Sequence, residues 1–463
     1  MNPHIFREYD IRGIADDDLT NQVAFDVGRA FGSLLRRMGG EKAVLGYDAR
    51  LSGPRLHQKV AEGLMSCGLQ ALDLGMVPTP TVYFGERYTG SDGGIQVTGS
   101  HNPGEYNGFK MTARGSSVYG EEIQGLRRLI ENEDFETGKG TLVHEPLMDE
   151  YLAAIIERVE LKLPPSVVID AGNGIAGPAA ERLFRELGCT LEALYCEPDG
   201  AFPNHLADPT VPEFMADLRQ KVLDEGADIG IGFDGDGDRI GLIDSSGRMI
   251  FGDQLLAIFA RDVLERLGEQ KILFDVKCSQ GLVEDIEAHG GIPHMWKTGH
   301  SLIKAEMKRS GVPLAGEMSG HMFFEEGWFG FDDALYAGAR LLDILGRWNV
   351  SLAEVVDTIP TYFSTPELRV SCADSEKFDV VAEITARFKA RTDVEVIDID
   401  GARVVFDGGW GLVRASNTQP VIVLRFEGRN EQILTQVREE FIAVLQDFPS
   451  VAVEELEKGG AGH

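Results

Sequence analysis

The sequence predicts an α/β protein of three similar α/β domains plus a C-terminal α+β domain, with the polar loops of the repeated domains expected around one central cleft. Three observations carry this. Short apolar runs at 42–48, 166–170 and 271–275 each end in aspartate (Asp48, Asp170, Asp275), and each is followed by a glycine (Gly53, Gly174, Gly281) and a helix-like stretch. Further along each unit a second strand-like run ends in a polar, glycine-containing loop, at 98–103, 234–239 and 316–321. Ligands of α/β sheets sit beyond the carboxyl ends of strands, so the three loops are expected to face one cleft. After residue 364 the pattern changes. A strand-like run at 367–371 precedes a helix over 378–388, and three more strand-like runs follow, two of them joined through Asp400-Gly401, a hairpin signal. A final helix over 431–445 carries Val437, Phe441 and Leu445 at helical spacing. The expected domains are 1–148, 149–250, 251–364 and 365–463, with a disordered tail from Lys458.

Composition narrows the function. The 463 residues, 43% hydrophobic and 8% aromatic, suffice for several ordinary cores. No apolar stretch approaches the ~18 residues of a membrane span, and the first residues carry no secretory pattern. Cys67, Cys189, Cys196, Cys278 and Cys372 form no CxxC pair and read as reduced thiols, so the expected location is cytoplasmic, without disulfides or zinc. A formal charge of −31 argues against nucleic acid and anionic membranes as partners. An anionic substrate would need cations gathered locally in the cleft.

In the 234–239 loop, Asp234, Asp236 and Asp238 alternate with glycines after the apolar run 229–233. Alternate side chains of an extended backbone share a face, so the three carboxylates can converge on one cation, and oxygen ligands select magnesium or calcium. An EF-hand shares the opening spacing, but Arg239 stands at its turn glycine and Ser245 at its bidentate glutamate. An acidic turn between two strands is the plain alternative, yet it requires no strict alternation of three aspartates. Arg239 supplies a cation beside the metal.

The serine loop places Ser100 between Gly99 and His101, closed by Pro103. A hydrolase triad is disfavoured, because neighbouring side chains point apart in extended backbone and no G-x-S-x-G elbow is present. In the third loop, Glu317 and Ser319 form an acceptor–hydroxyl pair suited to sugar hydroxyls, or a capped turn. A fourth loop, 414–420, combines Arg414, Ser416, Asn417 and Thr418 in the manner of a phosphate cradle, or of an ordinary surface loop.

One competing motif is present. Gly172-Asn173-Gly174-Ile175-Ala176-Gly177 follows a strand and matches G-x-G-x-x-G, with Glu192 and Glu197 about twenty residues on. By itself it points to a dinucleotide-dependent oxidoreductase. That reading leaves the aspartate, serine and arginine loops unexplained, and structural glycines are the better account.

Taken together and in this order, the loops resemble those of the α-D-phosphohexomutase family, over a stretch running from Phe6 to Ala443. Phe6-Arg7-Glu8-Tyr9-Asp10-Ile11-Arg12-Gly13 is similar to the family's N-terminal signature. The serine loop, continuing through Asn107-Gly108-Phe109-Lys110, resembles its phosphoserine motif. The aspartate, Glu317 and Arg414 loops resemble its magnesium, sugar-binding and phosphate-binding loops. Within the family, 316–321 and Trp328-Phe329-Gly330-Phe331-Asp332-Asp333 look most like the branch acting on both mannose and glucose phosphates. The phosphoglucosamine branch typically has Gln where Met318 stands.

The resemblance implies reversible phosphoryl transfer between the 1- and 6-positions of a hexose, through phosphorylated Ser100 and a 1,6-bisphosphate that turns end for end. It implies Mg²⁺ bridging that phosphate and Asp234, Asp236 and Asp238, with glucose or mannose 1,6-bisphosphate as activator. Lys110 and His300 are nominated for proton transfer, with Arg12 and Tyr9 nearby; the plain alternative for Lys110 and His300 is charge complementarity to phosphate. Glu317 and Ser319 would read the 3- and 4-hydroxyls. Arg239, Lys277 and His321 would also bind substrate, and Arg414, Ser416, Asn417 and Thr418 would hold the distal phosphate. Location alone adds Lys297 and Arg425 as further cations. The implied partners are small sugar phosphates, and oligomeric state stays open, with a monomer among the readings. A sugar-phosphate-binding protein and a phosphatase are the rival functions.

Overall fold

The computed structural model describes residues 1–416 and 420–457. Its first three units repeat one sheet arrangement. Lys42–Tyr47 runs parallel to Gln70–Met76 on one side and to Gly93–Val97 on the other, and Gly93–Val97 pairs antiparallel with Tyr106–Ala113. In the second unit Ser166–Asp170 lies between Thr190–Leu194 and Ile229–Phe233, both parallel, and Ile229–Phe233 pairs antiparallel with Ile240–Asp244. In the third, Lys271–Asp275 lies between Ile292–Trp296 and Leu314–Gly316, and Leu314–Gly316 pairs antiparallel with Met322–Phe324. The first sheet is widened by Ile11–Ile14 against Tyr106–Ala113 and by Thr141–His144 against Gln70–Met76.

The repeat explains why the polar loops occupy equivalent places. Gly93–Val97, Ile229–Phe233 and Leu314–Gly316 are buried at every position, as sheet strands covered on both faces must be. Their carboxyl ends deliver the serine, aspartate and glutamate loops. Helices Gly53–Ser66, Ala176–Glu186 and Gln280–Ala288 follow Lys42–Tyr47, Ser166–Asp170 and Lys271–Asp275. The G-x-G-x-x-G stretch is structural. Gly172 sits at φ +49°, and a Cβ on Gly177 would lie 2.1 Å from the Cys196 carbonyl oxygen.

The units are not independent. One hydrophobic cluster joins Tyr83 and Phe84 of the first to Ile231 and Phe233 of the second and to Phe274 and Phe324 of the third. The fourth unit has its own cluster, centred on Ile384, Val404, Phe426 and Phe441. Its sheet is antiparallel, with helices Lys377–Lys389 and Glu431–Leu445. Here the count of strands differs from expectation. Glu395–Ile397, Ala402–Phe406, Gly409–Ala415 and Val421–Gly428 follow the helix, four strands where the sequence suggests three. A second tight hairpin accounts for the difference: Phe406 pairs with Gly409 around Asp407-Gly408, with Gly408 at φ +77°. This unit docks on the third through Trp410 and Leu412 against Val276, and the buried Arg403 donates to the carbonyls of Val276 (2.8 Å) and Cys278 (2.6 Å).

Candidate active site

The aspartate loop is the centre. Asp234, Asp236 and Asp238 are fully buried, with ligand oxygens within 4.8 Å of one another. Asp234 Oδ1 accepts the backbone N–H groups of Gly237, Asp238 and Arg239 at 3.0–3.1 Å, which curls the loop back on itself. Asp236 Oδ2 accepts from Thr79 Oγ1 (2.6 Å) and Lys110 Nζ (2.8 Å), and Asp238 Oδ2 accepts from Lys110 Nζ (2.5 Å). The remaining oxygens, Asp236 Oδ1 and Asp238 Oδ1, are buried without a hydrogen-bond partner. A buried carboxylate oxygen left unpaired is costly, so this all-oxygen set fits a hard divalent cation.

Electrostatics separate these groups. Burial raises the Asp234 carboxyl well above its ordinary range, and the charges of Asp236 and Asp238 raise it further. Burial acts the same way on Asp236, but the Lys110 ammonium and the Thr79 hydroxyl outweigh it and hold Asp236 low. For Lys110, burial opposes the charge, and the carboxylates of Asp236, Asp238 and Asp234 together overcome it, so the ammonium is held above its ordinary range.

Ser100 enters from the first unit. Its Oγ donates to Asp234 Oδ2 at 2.9 Å and lies 3.0 Å from His101 Nδ1. The second contact corrects the expectation that Ser100 and His101 diverge. Ser100 is not extended: its φ of +51° is left-handed, which swings its side chain onto the neighbouring ring. Burial, then the charges of Arg239, Arg12 and Lys110, hold His101 well below its ordinary value. Arg12 joins the same loop by donating to Asn102 Oδ1 (2.9 Å), and it is anchored by Asp10 (2.5 Å).

The third unit supplies the far wall. Arg239 Nε donates to His321 Nε2 at 3.0 Å, and His321 Nδ1 lies 3.1 Å from Asp332 Oδ2 and 3.7 Å from Asp238 Oδ1. His300 opens the helix His300–Ser310 and stacks on His321, with ring centroids 5.5 Å apart. Burial, then the Lys304 charge, holds the His300 imidazole well below its ordinary value. Lys304 Nζ donates to Asp332 Oδ1 (2.8 Å), which fixes the carboxylate behind both histidines.

The 298–299 backbone ties the first, third and fourth units together. Tyr9 Oη donates to the Thr298 carbonyl (2.8 Å), and Thr298 N donates to Asp400 Oδ2 (3.1 Å). Asp400 Oδ2 also accepts from Arg414 Nε (3.0 Å), and Glu317 Oε1 accepts from Gly299 N (2.6 Å). Gly299 must be glycine, because its φ is +130° and a Cβ would lie 2.6 Å from the Tyr9 ring. Burial raises the Glu317 carboxyl. Lys277 pairs with Glu367 Oε2 (3.1 Å), and the carboxylates of Glu367 and Asp275 outweigh burial to keep its ammonium high. Ser319 is partly buried in the Glu317 loop, and Ser416 is buried beside Arg414. Asn417 and Thr418 lie outside the described residues.

The contacts thus run without a break from Ser100 through the aspartates and histidines to Glu317 and Arg414. The two cations added by location differ in their surroundings. Arg425 is engaged by Glu427 Oε1 (2.9 Å) and the Lys277 carbonyl at the joint between the third and fourth units, because its strand packs there. Lys297 is exposed. Thr79 and Lys304 lie outside every motif of the sequence, while His101, Asp332 and Asp400 fall within stretches it singles out without assigning them a site role. Thr79 grips an aspartate 157 positions away, and no local spacing signals that.

Comparison with known proteins agrees with this geometry. Four family descriptions match in order. Phosphoglucomutase/phosphomannomutase alpha/beta/alpha domain I matches residues 3–137, domain II 149–247, domain III 251–362, and the C-terminal domain 367–444. The chain is 46% identical over 437 residues to a phosphomannomutase/phosphoglucomutase of Pseudomonas aeruginosa, covering 94% of each. It is 44% identical over 448 residues to a phosphoglucomutase of Neisseria gonorrhoeae, covering 96% of this chain and 97% of the relative. A crystal structure of a phosphoglucomutase/phosphomannomutase family protein from Burkholderia thailandensis superposes with a TM-score of 0.91 at 45% identity, covering 96% of this chain and 98% of the other. The chain therefore belongs to the phosphoglucomutase/phosphomannomutase family of α-D-phosphohexomutases.

Proposed function

We propose that this protein interconverts the 1- and 6-phosphates of mannose and glucose, with Ser100 as the phosphoryl carrier. The observation that carries the reading is the contact between Ser100 Oγ and Asp234 inside a buried triad of aspartates. Arg239, Lys277 and Arg414 lie along the same network and supply the cations that an acidic chain of charge −31 must gather for an anionic substrate.

Phosphoryl transfer depends chiefly on positioning and charge neutralisation. Asp234, Asp236 and Asp238 would hold Mg²⁺, which when bound withdraws charge from the transferring phosphate. In the first half-reaction the free hydroxyl of a hexose monophosphate attacks phospho-Ser100. A sugar O–P bond forms, the Oγ–P bond breaks, the hydroxyl proton passes to a base, and Ser100 Oγ takes up a proton. The 1,6-bisphosphate then turns and returns its other phosphate to Ser100. Glucose or mannose 1,6-bisphosphate reloads an enzyme that has lost its phosphate. His300, held neutral, is the base this arrangement favours. Lys110, ion-paired with Asp236 and Asp238, serves as a cation beside the transfer point. Arg12 steadies the serine loop through Asn102.

Glu317 and Ser319 bind the sugar hydroxyls, with Tyr9, Arg239 and His321 lining the approach. Lys277, Arg414, Ser416, Asn417 and Thr418 take the distal phosphate. No helix among the described residues is long and apolar enough to cross a membrane, and we place the activity in the cytoplasm. Incubation with glucose 1-phosphate, Mg²⁺ and a trace of bisphosphate is the test. A mutase forms glucose 6-phosphate, a phosphatase releases inorganic phosphate, and a binding protein does neither.

A further inference from the structure

Ser100, buried with Thr98 and Gly99, takes a left-handed conformation, φ +51°, that L-residues rarely adopt. Something must hold it there. The holder lies in the first unit, outside every motif of the site. Arg50, whose side chain has no exposed surface, reaches under the serine loop. One terminal nitrogen donates to the carbonyls of Pro103 (2.5 Å) and Tyr106 (2.9 Å). The other donates to the carbonyls of Ser100 (2.7 Å) and Asn102, and Nε donates to Asp48 Oδ2 (3.1 Å). Every N–H of the guanidinium is thereby matched, in a fork that no other side chain reproduces.

Asp48 completes the device from the opposite polarity. Its Oδ2 accepts from Thr98 Oγ1 (2.8 Å) and Gly99 N (3.3 Å), so the ion pair serves the loop's donors with its carboxylate and the loop's carbonyls with its guanidinium. Gly99 is part of the fit. A Cβ there would stand 2.6 Å from both Cζ and Nε of Arg50. The stack continues into the second unit, where the Phe202 ring lies 5.2 Å from the Arg50 guanidinium.

We propose that Arg50 is a positioning residue for phosphoryl transfer to and from Ser100, fixing the serine loop by its carbonyls so that Oγ stands at Asp234. The inference rests on Ser100 being the phosphoryl carrier. Its physical basis is that transfer between oxygens tolerates little displacement, a misplacement of about 1 Å costing on the order of 10²-fold in rate. Lysine at position 50 keeps the charge but cannot match the set of carbonyls, and alanine at position 99 pushes the guanidinium away without removing it.

The test uses the dephosphorylated full-length protein, wild type, Arg50→Lys and Gly99→Ala, with glucose 1,6-bisphosphate. Phosphate uptake on Ser100 is followed by intact mass against time. In parallel, the Kd for glucose 6-phosphate is measured by calorimetry, and folding is checked by near-ultraviolet circular dichroism. Both variants are expected to take up phosphate on the order of 10²-fold more slowly with Kd for glucose 6-phosphate unchanged. Uptake at the wild-type rate in either folded variant overturns the proposal. So does a slowed uptake matched by an equal loss of substrate affinity, which would mean a general structural role. Should Arg50→Lys fail to fold, Gly99→Ala decides alone by its rate of uptake, measured on the fraction that retains native ellipticity. A wild type that takes up no phosphate on Ser100 refutes the carrier itself, a different outcome from failure of Arg50.

Discussion

Replacing Arg414 with alanine separates substrate binding from retention of the intermediate. Arg414 is buried, and its Nε is held by Asp400 at 3.0 Å, which in turn accepts from Thr298 N at 3.1 Å. The guanidinium is therefore already oriented, and its remaining N–H groups need little reordering to meet a phosphate. Losing one charge-assisted contact of this kind costs about 1.5–3 kcal/mol, or roughly 10- to 150-fold in affinity. The same loss applies to the bisphosphate, and affinity changes within one site fall mostly on the dissociation rate. The intermediate should then escape more often, each escape leaving a dephosphorylated Ser100 that cannot begin another cycle. The assay follows glucose 6-phosphate formation at saturating glucose 1-phosphate, with and without added glucose 1,6-bisphosphate. KM should rise by the factor above, and withholding the activator should cost Arg414→Ala a larger share of its activity than it costs wild type. Equal dependence on the activator in the two proteins would refute a role for Arg414 in keeping the intermediate.

Further expectations follow from the same contacts. Asp236→Asn removes a ligand charge and disturbs the grip of Thr79 and Lys110, so Mg²⁺ should bind more weakly in titration calorimetry and turnover should fall on the order of 10²-fold or more; full turnover in a chelator without added metal would oppose the scheme. His300 is held well below the ordinary histidine value of 6.5, so it stays neutral as pH falls through that value, and the acid limb of kcat/KM should lie below pH 6.5. An acid limb at or above 6.5 would contradict His300 as the base. Mannose and glucose phosphates differ only at C2, while Glu317 and Ser319 are assigned to the 3- and 4-hydroxyls; kcat/KM for the two should differ by less than about 10⁴-fold, and a larger preference would mean another group reads C2.

Much of this architecture was legible because it is written locally. The aspartate loop shows itself by alternation within a few residues, and the repeated units by apolar runs ending in Asp48, Asp170 and Asp275. The helix Glu431–Leu445 follows from the spacing of its buried Val437, Phe441 and Leu445. What escaped depends on long-range pairing or on a single dihedral angle. Thr79 reaches Asp236, and Tyr9 meets Thr298 across 289 positions. The relation of Ser100 to His101 turns on a positive φ that no residue type at 100 announces. Arg425 and Arg414 look alike as cations preceding or within strands, yet only the packing of the third unit against the fourth engages Arg425 at the interface. Whether Lys110 would gain or lose its proton could not be read from one lysine in sequence; it depends on carboxylates more than a hundred positions away.

The central claim is that phosphate passes through Ser100. Wild-type protein incubated with glucose 1,6-bisphosphate carrying labelled phosphate, then digested and mapped by mass spectrometry, tests it most directly. The account predicts label on the peptide containing Ser100, at that residue, and its transfer into hexose phosphate when unlabelled glucose 1-phosphate is added. Label on another residue, or release of the Ser100 label only as inorganic phosphate, would contradict it.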